Sequence, residues 1–274
     1  LDLLSSVRGA AIPVRALIAA GAIFDIGAES VRVALVRLCA RGTVEHNQRG
    51  HYRLAAAAQA VHRHVVSWSH VEDRMMPWRG AWIGVQTAGV DRSDRPALRR
   101  HDRALAFSGF RPLVAHLYVR PDNLRGGVDA TRAELGELGL DSGAPVFTIT
   151  SLDVASERRA RLLWDTAGLQ RGYEAMLAAL AHSAARLPAL APKTAMAESF
   201  IIGGQVLRQL ALDPLLPEPI APARERTALI DAMRVYDRNG RAYWRELMRE
   251  HGAPHLRGPR GAVGADWRTL GAVA

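Results

Sequence analysis

Arg32, Arg37, Arg41, Arg49 and Arg53 crowd one short stretch, "RVALVRLCARGTVEHNQRGHYR", in which Glu45 is the single acid. A guanidinium is a fixed fork of donors that matches a phosphate or the edge of guanine two bonds at a time. The chemistry suggested is therefore recognition of a polyanion rather than bond-breaking. Competing chemistries find little support. No Ser/His/Asp order stands out, and Cys39 is the only cysteine, which excludes an internal disulfide and any multi-cysteine metal knuckle. His62, His64, His70, Glu72 and Asp73 form a tempting cluster, but on a helix His62 and His64 point about 200° apart, so they do not converge on one metal. The read-out is no metal site, no catalytic residue and no resident cofactor. "NLRGG" and "FIIGG" lack the strand, lysine and hydroxyl context of a phosphate loop.

The arginines need elements to aim them. Residues 12–26, "IPVRALIAAGAIFDI", place Leu17, Ile18 and Ile23 at helical spacing. Glu29 and Ser30 open a second helix, with the acid suited to its first turn. Val31, Ala34, Leu35 and Leu38 then form one apolar face, opposite Glu29, Arg32, Val33, Val36 and Arg37. Gly42 is placed to end that helix. "TVEH" and "HYRLA" follow as two strands around "NQRG", where Gly50 can take a positive φ. Helix, turn, helix and hairpin outline a winged helix, whose second helix enters a major groove while the hairpin follows the backbone. The expected DNA contacts are Ser30, Arg32, Val33, Arg37 and Arg41 on the helix and Arg49, His51 and Arg53 on the wing.

The totals agree with that direction. The 274 residues carry a formal net charge of +9 and are 49% hydrophobic, ample for more than one core. A positive field of this size favours nucleic acid, anionic membrane or phosphorylated ligands. Lys193 is the only lysine among 36 basic residues; GC-rich coding accounts for that ratio, so the net charge carries the argument. No apolar run approaches the roughly 20 residues of a membrane span, and no signal-like start is seen. A cytoplasmic protein with no membrane partner is expected.

Farther along, "AAAAQAVHRHVVSWSHVEDRMM" (55–76) reads as a helical connector. "AWIGVQTA", "RPLVAHLYVRP" and "APVFTITSLD" read as strands interleaved with the helices "RPALRRHDRALAFSGF" and "DATRAELGELGL". Beyond Ser156 the period is helical only, broken by the proline-rich "DPLLPEPIAP". The expected class is α+β: an N-terminal winged helix-turn-helix (1–58), a connector helix (59–76), a ferredoxin-like α/β middle domain suited to dimerisation (77–155), a helical C-terminal domain (156–252) and a flexible tail (253–274). Trp68, Trp78, Trp82 and Trp164 could line a pocket or fill a core. Asp91 and Asp94 in "DRSD" permit an alternative, a metal-dependent nuclease on the middle domain. A third reading is a sequence-independent DNA-coating protein.

"SVRVALVRLCARGTV" followed by "YRLA" resembles the recognition helix and wing of the phenylacetic-acid-degradation repressor (PaaX-like) family. "PWRGAWIGV" and "LAFSGFRPLVAHLYVRP" resemble its middle segments. "RARLLWDTAGLQRGYEAM", with Trp164 and Tyr173, and "LRQLALDPLLPEPIAP", with Arg208, Asp213, Pro214, Leu216 and Pro217, resemble later ones in the same order. The resemblance implies a homodimeric repressor of aromatic catabolism genes, bound to a double-stranded DNA operator and released by an aryl-CoA effector such as phenylacetyl-CoA. It also motivates Arg79, Arg111, Arg161, Trp164 and Arg208 as effector-binding residues. Val33 stands where the family has threonine, the wing is shorter and less basic, and "GGQVLRQ" retains only Arg208 of a more polar family pattern.

Overall fold

The computed structural model describes residues 2–5, 10–47, 49–90 and 93–254. Asp91 and the tail from residue 255 therefore lie outside the described residues. The chain is α+β, and its described residues form two antiparallel sheets, of three and four strands. It forms two compact units, crossing between them after Ser69, Glu174, Arg208 and Thr227.

The first unit begins with α1 (Asp2–Ser5), β1 (Ile12–Pro13), α2 (Val14–Ile23) and α3 (Ala28–Ala40), followed by β2 (Val44–His46) and β3 (His51–Leu54). The strand order is β1-β3-β2, so the hairpin gains a third, two-residue strand from the segment leading into α2. Pro13 sits in that edge strand and caps α2, where a missing N–H costs nothing. The turn between β2 and β3 is built by Asn47, whose Oδ1 accepts the N–H of Arg49 at 3.0 Å and of His51 at 3.1 Å. Gly50 takes the positive φ of 70° that this turn requires. The chain continues through α4 (Ala56–Val66) and a 3₁₀ turn, Ser67–His70.

Later segments return to complete this unit. Val31, Leu35 and Leu38 of α3 turn inward with Leu17 and Ala20 of α2 and Val44 of β2. Ala34, expected on that apolar face, is exposed; the stripe passes from Leu35 to Leu38 and Cys39 instead. The same core contains Trp244 and Met248, with Met196 and Phe200 packed against it.

The second unit holds α5 (Val71–Arg74), β4 (Trp82–Gln86), α6 (Arg95–Phe107), β5 (Arg111–Val114), β6 (Leu117–Pro121), α7 (Gly127–Leu138), β7 (Val146–Ile149) and α8 (Val154–Arg161). The segment "RPLVAHLYVRP", expected as one strand, is a hairpin turning at Ala115–His116, where His116 adopts φ 62°. Histidine is among the few residues that tolerate this region. The sheet order is β5-β6-β4-β7, so β6 separates β4 from β5 in a split β-α-β pattern. Alternation along β4 sends Ile83 and Val85 into one core with α6 and α7, and Trp82 into another with Trp164 and Leu216.

Three long helices are the last elements among the described residues: α9 (Thr166–Arg186), α10 (Pro192–Ala211) and α11 (Arg224–Glu250). The helical run expected from residue 156 is interrupted before α9 because Asp165 accepts the N–H of Gly168 at 2.8 Å and starts a new helix. The last turns of α9, α10 up to Arg208 and α11 from Ala228 belong to the first unit; Gln209–Thr227 belongs to the second. Among the described residues, no helix is long and apolar enough to cross a membrane.

Candidate nucleic-acid interface

α3 presents one polar face beside two exposed valines. Ser30, Arg32, Arg37 and Arg41 are exposed, as are Val33 at 46% and Val36 at 66%. The helix can hold this face outward because its opposite side is anchored through Leu35, which is buried. At its end Thr43 N–H reaches Leu38 O at 3.0 Å and Gly42 N–H reaches Cys39 O at 2.9 Å, satisfying the last carbonyls and directing the chain into β2.

The arginines fall into two electrostatic classes. Arg32 is paired with Glu29, one helical turn earlier, and Arg53 with its cross-strand partner Glu45 at 2.6 Å. Both pairs are exposed, so each holds little energy and can exchange for a phosphate. Arg37, Arg41 and Arg49 have no ion-pair partner among the described residues. His51 is half-buried, with Nδ1 3.1 Å from Arg49 O, so its ring helps set the turn. The eight expected contacts thus lie in α3 and its following hairpin. Sequence reasoning missed Asn47, whose short side chain organises the wing; an Asn ahead of the "QRG" turn was the available signal.

Behind this surface, Phe24 at the end of α2 packs on Phe200 (ring centroids 5.3 Å apart) and Trp244 (6.1 Å). Trp244 Nε1 donates to Met196 O at 3.1 Å. Lys193 pairs with Asp25 at 2.6 Å, and Arg15 Nε donates to His251 O at 2.8 Å. These contacts brace α2 from α10 and α11 within the first unit.

The five expected effector residues are dispersed. Arg208 belongs to the first unit and the other four to the second. Arg79 and Arg208 are exposed, and Arg111 donates to Phe110 O at 3.0 Å. Arg161 lies over the Trp78 ring at 4.8 Å and pairs with Glu157 at 2.7 Å; Glu157 also accepts the Trp82 indole N–H at 2.8 Å. Trp164 is only 5% exposed, stacks on Trp82 and donates its N–H to Gly109 O at 3.2 Å. Gly109 itself has φ 75° and lies so close to Pro214 that a Cβ would sit 2.9 Å from its backbone.

The other residues that carry the family resemblance are also interior. Tyr173 OH donates to Asp213 Oδ2 at 2.5 Å, while Asp213 Oδ1 accepts Leu215 N–H at 2.8 Å and lies 3.8 Å from Arg226 Nη1. Burial pushes both the Tyr173 phenol and the Asp213 carboxyl above their ordinary values, the latter against the pull of Arg226. Arg120, buried among the carbonyls of Ser108 and Pro121 and the amide of Asn123, is lowered by burial to about 10.

The alternative nuclease reading rested on Asp91 and Asp94. Asp94 caps α6 by accepting Ala97 N–H at 2.9 Å, and Asp91 lies outside the described residues. Among the described residues, no group of three or more His, Cys, Asp or Glu could hold a metal.

The arginine-bearing helix and the hairpin after it fall within a segment that matches a known family. Residues 3–58 match the PaaX-like protein family. That is the family the sequence resembles, and its members are transcriptional repressors, which supports a DNA-binding regulator. The structure is also similar to that of an uncharacterized protein, Rv0674, from Mycobacterium tuberculosis. The two are 25% identical, with a TM-score of 0.54 over 88% of this chain and 97% of that one. No curated protein matches the chain.

Proposed function

We propose that the chain is a homodimeric, sequence-specific repressor that reads its operator with α3 and releases it when an aryl-CoA binds. The observation that carries the reading is the outer face of α3, where Arg37 and Arg41, with no ion-pair partner among the described residues, stand beside exposed Val33 and Val36. Arginine reaches guanine O6 and N7, and a valine methyl suits the thymine methyl, so this face can distinguish base pairs as well as bind phosphate. Arg49 and Arg53 on the wing, with Ser30 and Arg32 at the start of the helix, supply backbone contacts. Two such surfaces in a dimer would engage half-sites about one or more helical turns apart.

Released repression fits the family match and the positive charge, and an exposed arginine such as Arg208 suits a phosphate of the effector. The target genes, aromatic catabolism, follow from the family resemblance. The direct test is gel-shift titration of DNA upstream of the gene and its neighbours, with and without phenylacetyl-CoA. Arg37→Ala is expected to weaken specific binding by about 1–3 kcal/mol, and Arg49→Ala to reduce the salt slope by about one with no change in sequence preference. A full-strength footprint from the Arg32→Ala/Arg37→Ala protein would remove α3 as the reading helix.

A further inference from the structure

The second unit carries a cationic surface of its own, on a helix with no part in the operator-reading face. α6 packs into the core of that unit through Leu98, Ala104 and Leu105, and His101 is buried with them. Its exposed side holds Arg95, Arg99, Arg100 and Arg103. At about 100° per residue these four fan over an arc of about 140°, centred opposite the middle of the buried side. The core therefore aims all four outward together.

Two features mark this face as a surface for an anion. First, none of the four arginines has an ion pair or a side-chain hydrogen bond among the described residues. Other helices pair theirs one turn away, as in Arg132–Asp129 of α7, Arg161–Glu157 of α8 and Arg234–Asp231 of α11. The single acid within α6 is Asp102, three residues after Arg99 yet not paired with it, and Asp94 is engaged in capping the helix. GC-rich coding explains the choice of arginine but not the missing acids.

Second, the arrangement works against the helix itself. Arg95–Arg99 and Arg99–Arg103 are like charges four residues apart and Arg100–Arg103 three apart, the spacings at which helical neighbours repel. Arg95 also stands in the first turn, where the helix dipole disfavours a cation. A polyanion laid along α6 relieves both penalties.

The chemistry of the face narrows the partner. Its exposed apolar residues are Pro96 and Ala106, too little for the broad apolar side that a membrane-surface helix needs or for the apolar centre of a protein interface. What remains is a row of charges. Arg95 and Arg103 lie about 12 Å apart along the helix axis. Each strand of duplex DNA sets a phosphate about every 3.4 Å of its axis, so the row meets about three phosphates of one strand.

We infer that α6 is a second DNA-binding surface, one that holds the phosphate backbone without reading sequence. It rests on the chain being a DNA-binding protein, and not on α3 being its reading helix. Its effect is to add affinity for any duplex, leaving the choice of operator to other residues.

The test is a salt titration of DNA binding by the full chain, on a duplex from its own upstream region and on a shuffled duplex of the same composition. Arg95→Gln/Arg99→Gln/Arg103→Gln should weaken both by the same factor, at least tenfold near about 0.15 M salt, and lower the salt slope by about 2.7 for each bound copy. Its unfolding midpoint should hold or rise as the like charges go, which guards against a misfolded variant. The corresponding triple lysine variant keeps the charge and should keep the slope. Arg37→Ala/Arg41→Ala should instead lose preference for the upstream duplex and still bind the shuffled one through α6. A parent-like slope in the glutamine variant overturns the α6 surface and leaves the α3 reading intact. Loss of sequence preference in the glutamine variant overturns the backbone assignment, since α6 would then touch bases. No duplex binding by the parent protein at low salt overturns both readings. Loss of sedimentation with phosphatidylglycerol vesicles in the glutamine variant, with DNA binding unchanged, gives the surface to a membrane instead.

Discussion

Replacing Tyr173 with phenylalanine deletes one oxygen and keeps the ring, which isolates the value of a single buried hydrogen bond. That oxygen is 2.5 Å from Asp213 Oδ2. Tyr173 is 3% exposed and Asp213 5%, so water does not replace the lost donor. The other carboxylate oxygen takes Leu215 N–H, and Arg226 is 3.8 Å from it while donating to Leu216 O at 3.0 Å. Oδ2 thus depends on the phenol. Hydrogen bonds to a charged group contribute about 1.5–3 kcal/mol, and the cavity left by one hydroxyl adds little. A loss of about 2 kcal/mol is expected, read as a lower urea midpoint with unchanged slope. Asp213→Ala should cost more, about 3–5 kcal/mol, because it strands buried Arg226. If Tyr173→Phe instead costs under about 0.5 kcal/mol while changing aryl-CoA affinity, the trio is ligand-binding machinery and the scaffold argument fails.

Two further outcomes follow from the same structure. His101 is buried, and burial lowers its pKa from 6.5, so the folded second unit resists the proton that the unfolded chain accepts. Stability should fall as the pH drops through 6.5, and His101→Gln should flatten that slope in thermal melts; an unchanged slope refutes it. Trp244→Ala should cost about 3–5 kcal/mol in urea unfolding and loosen DNA binding with it, since the ring braces Phe24; full operator affinity at unchanged stability would show that α2 needs no such brace.

Local pattern in the sequence carried the first helices and the hairpin far. Leu35 and Leu38 at helical spacing and Gly50 at the turn mark elements whose causes lie within a few residues. Ala34 misled because an alanine is compatible with either side of a helix, and only neighbours decide. The hairpin at Ala115–His116 hid inside "RPLVAHLYVRP" because no glycine or asparagine marked its turn. Trp164 looked suited to a ligand and proved interior, as a tryptophan's sequence neighbours do not reveal what stacks on it. The partition of the chain into units was equally hidden, since Trp244 meets Phe24 across more than two hundred residues of sequence and no periodicity records such a meeting.

That last contact has a consequence for synthesis. A ribosome delivers α3 with its arginines first, and Met196, Phe200, Trp244 and Met248, which pack into the same core, only long after it. Until they arrive, that part of the core beneath α3 is missing. A product truncated before Trp244 is therefore expected to hold α2 and α3 less firmly than the complete chain does.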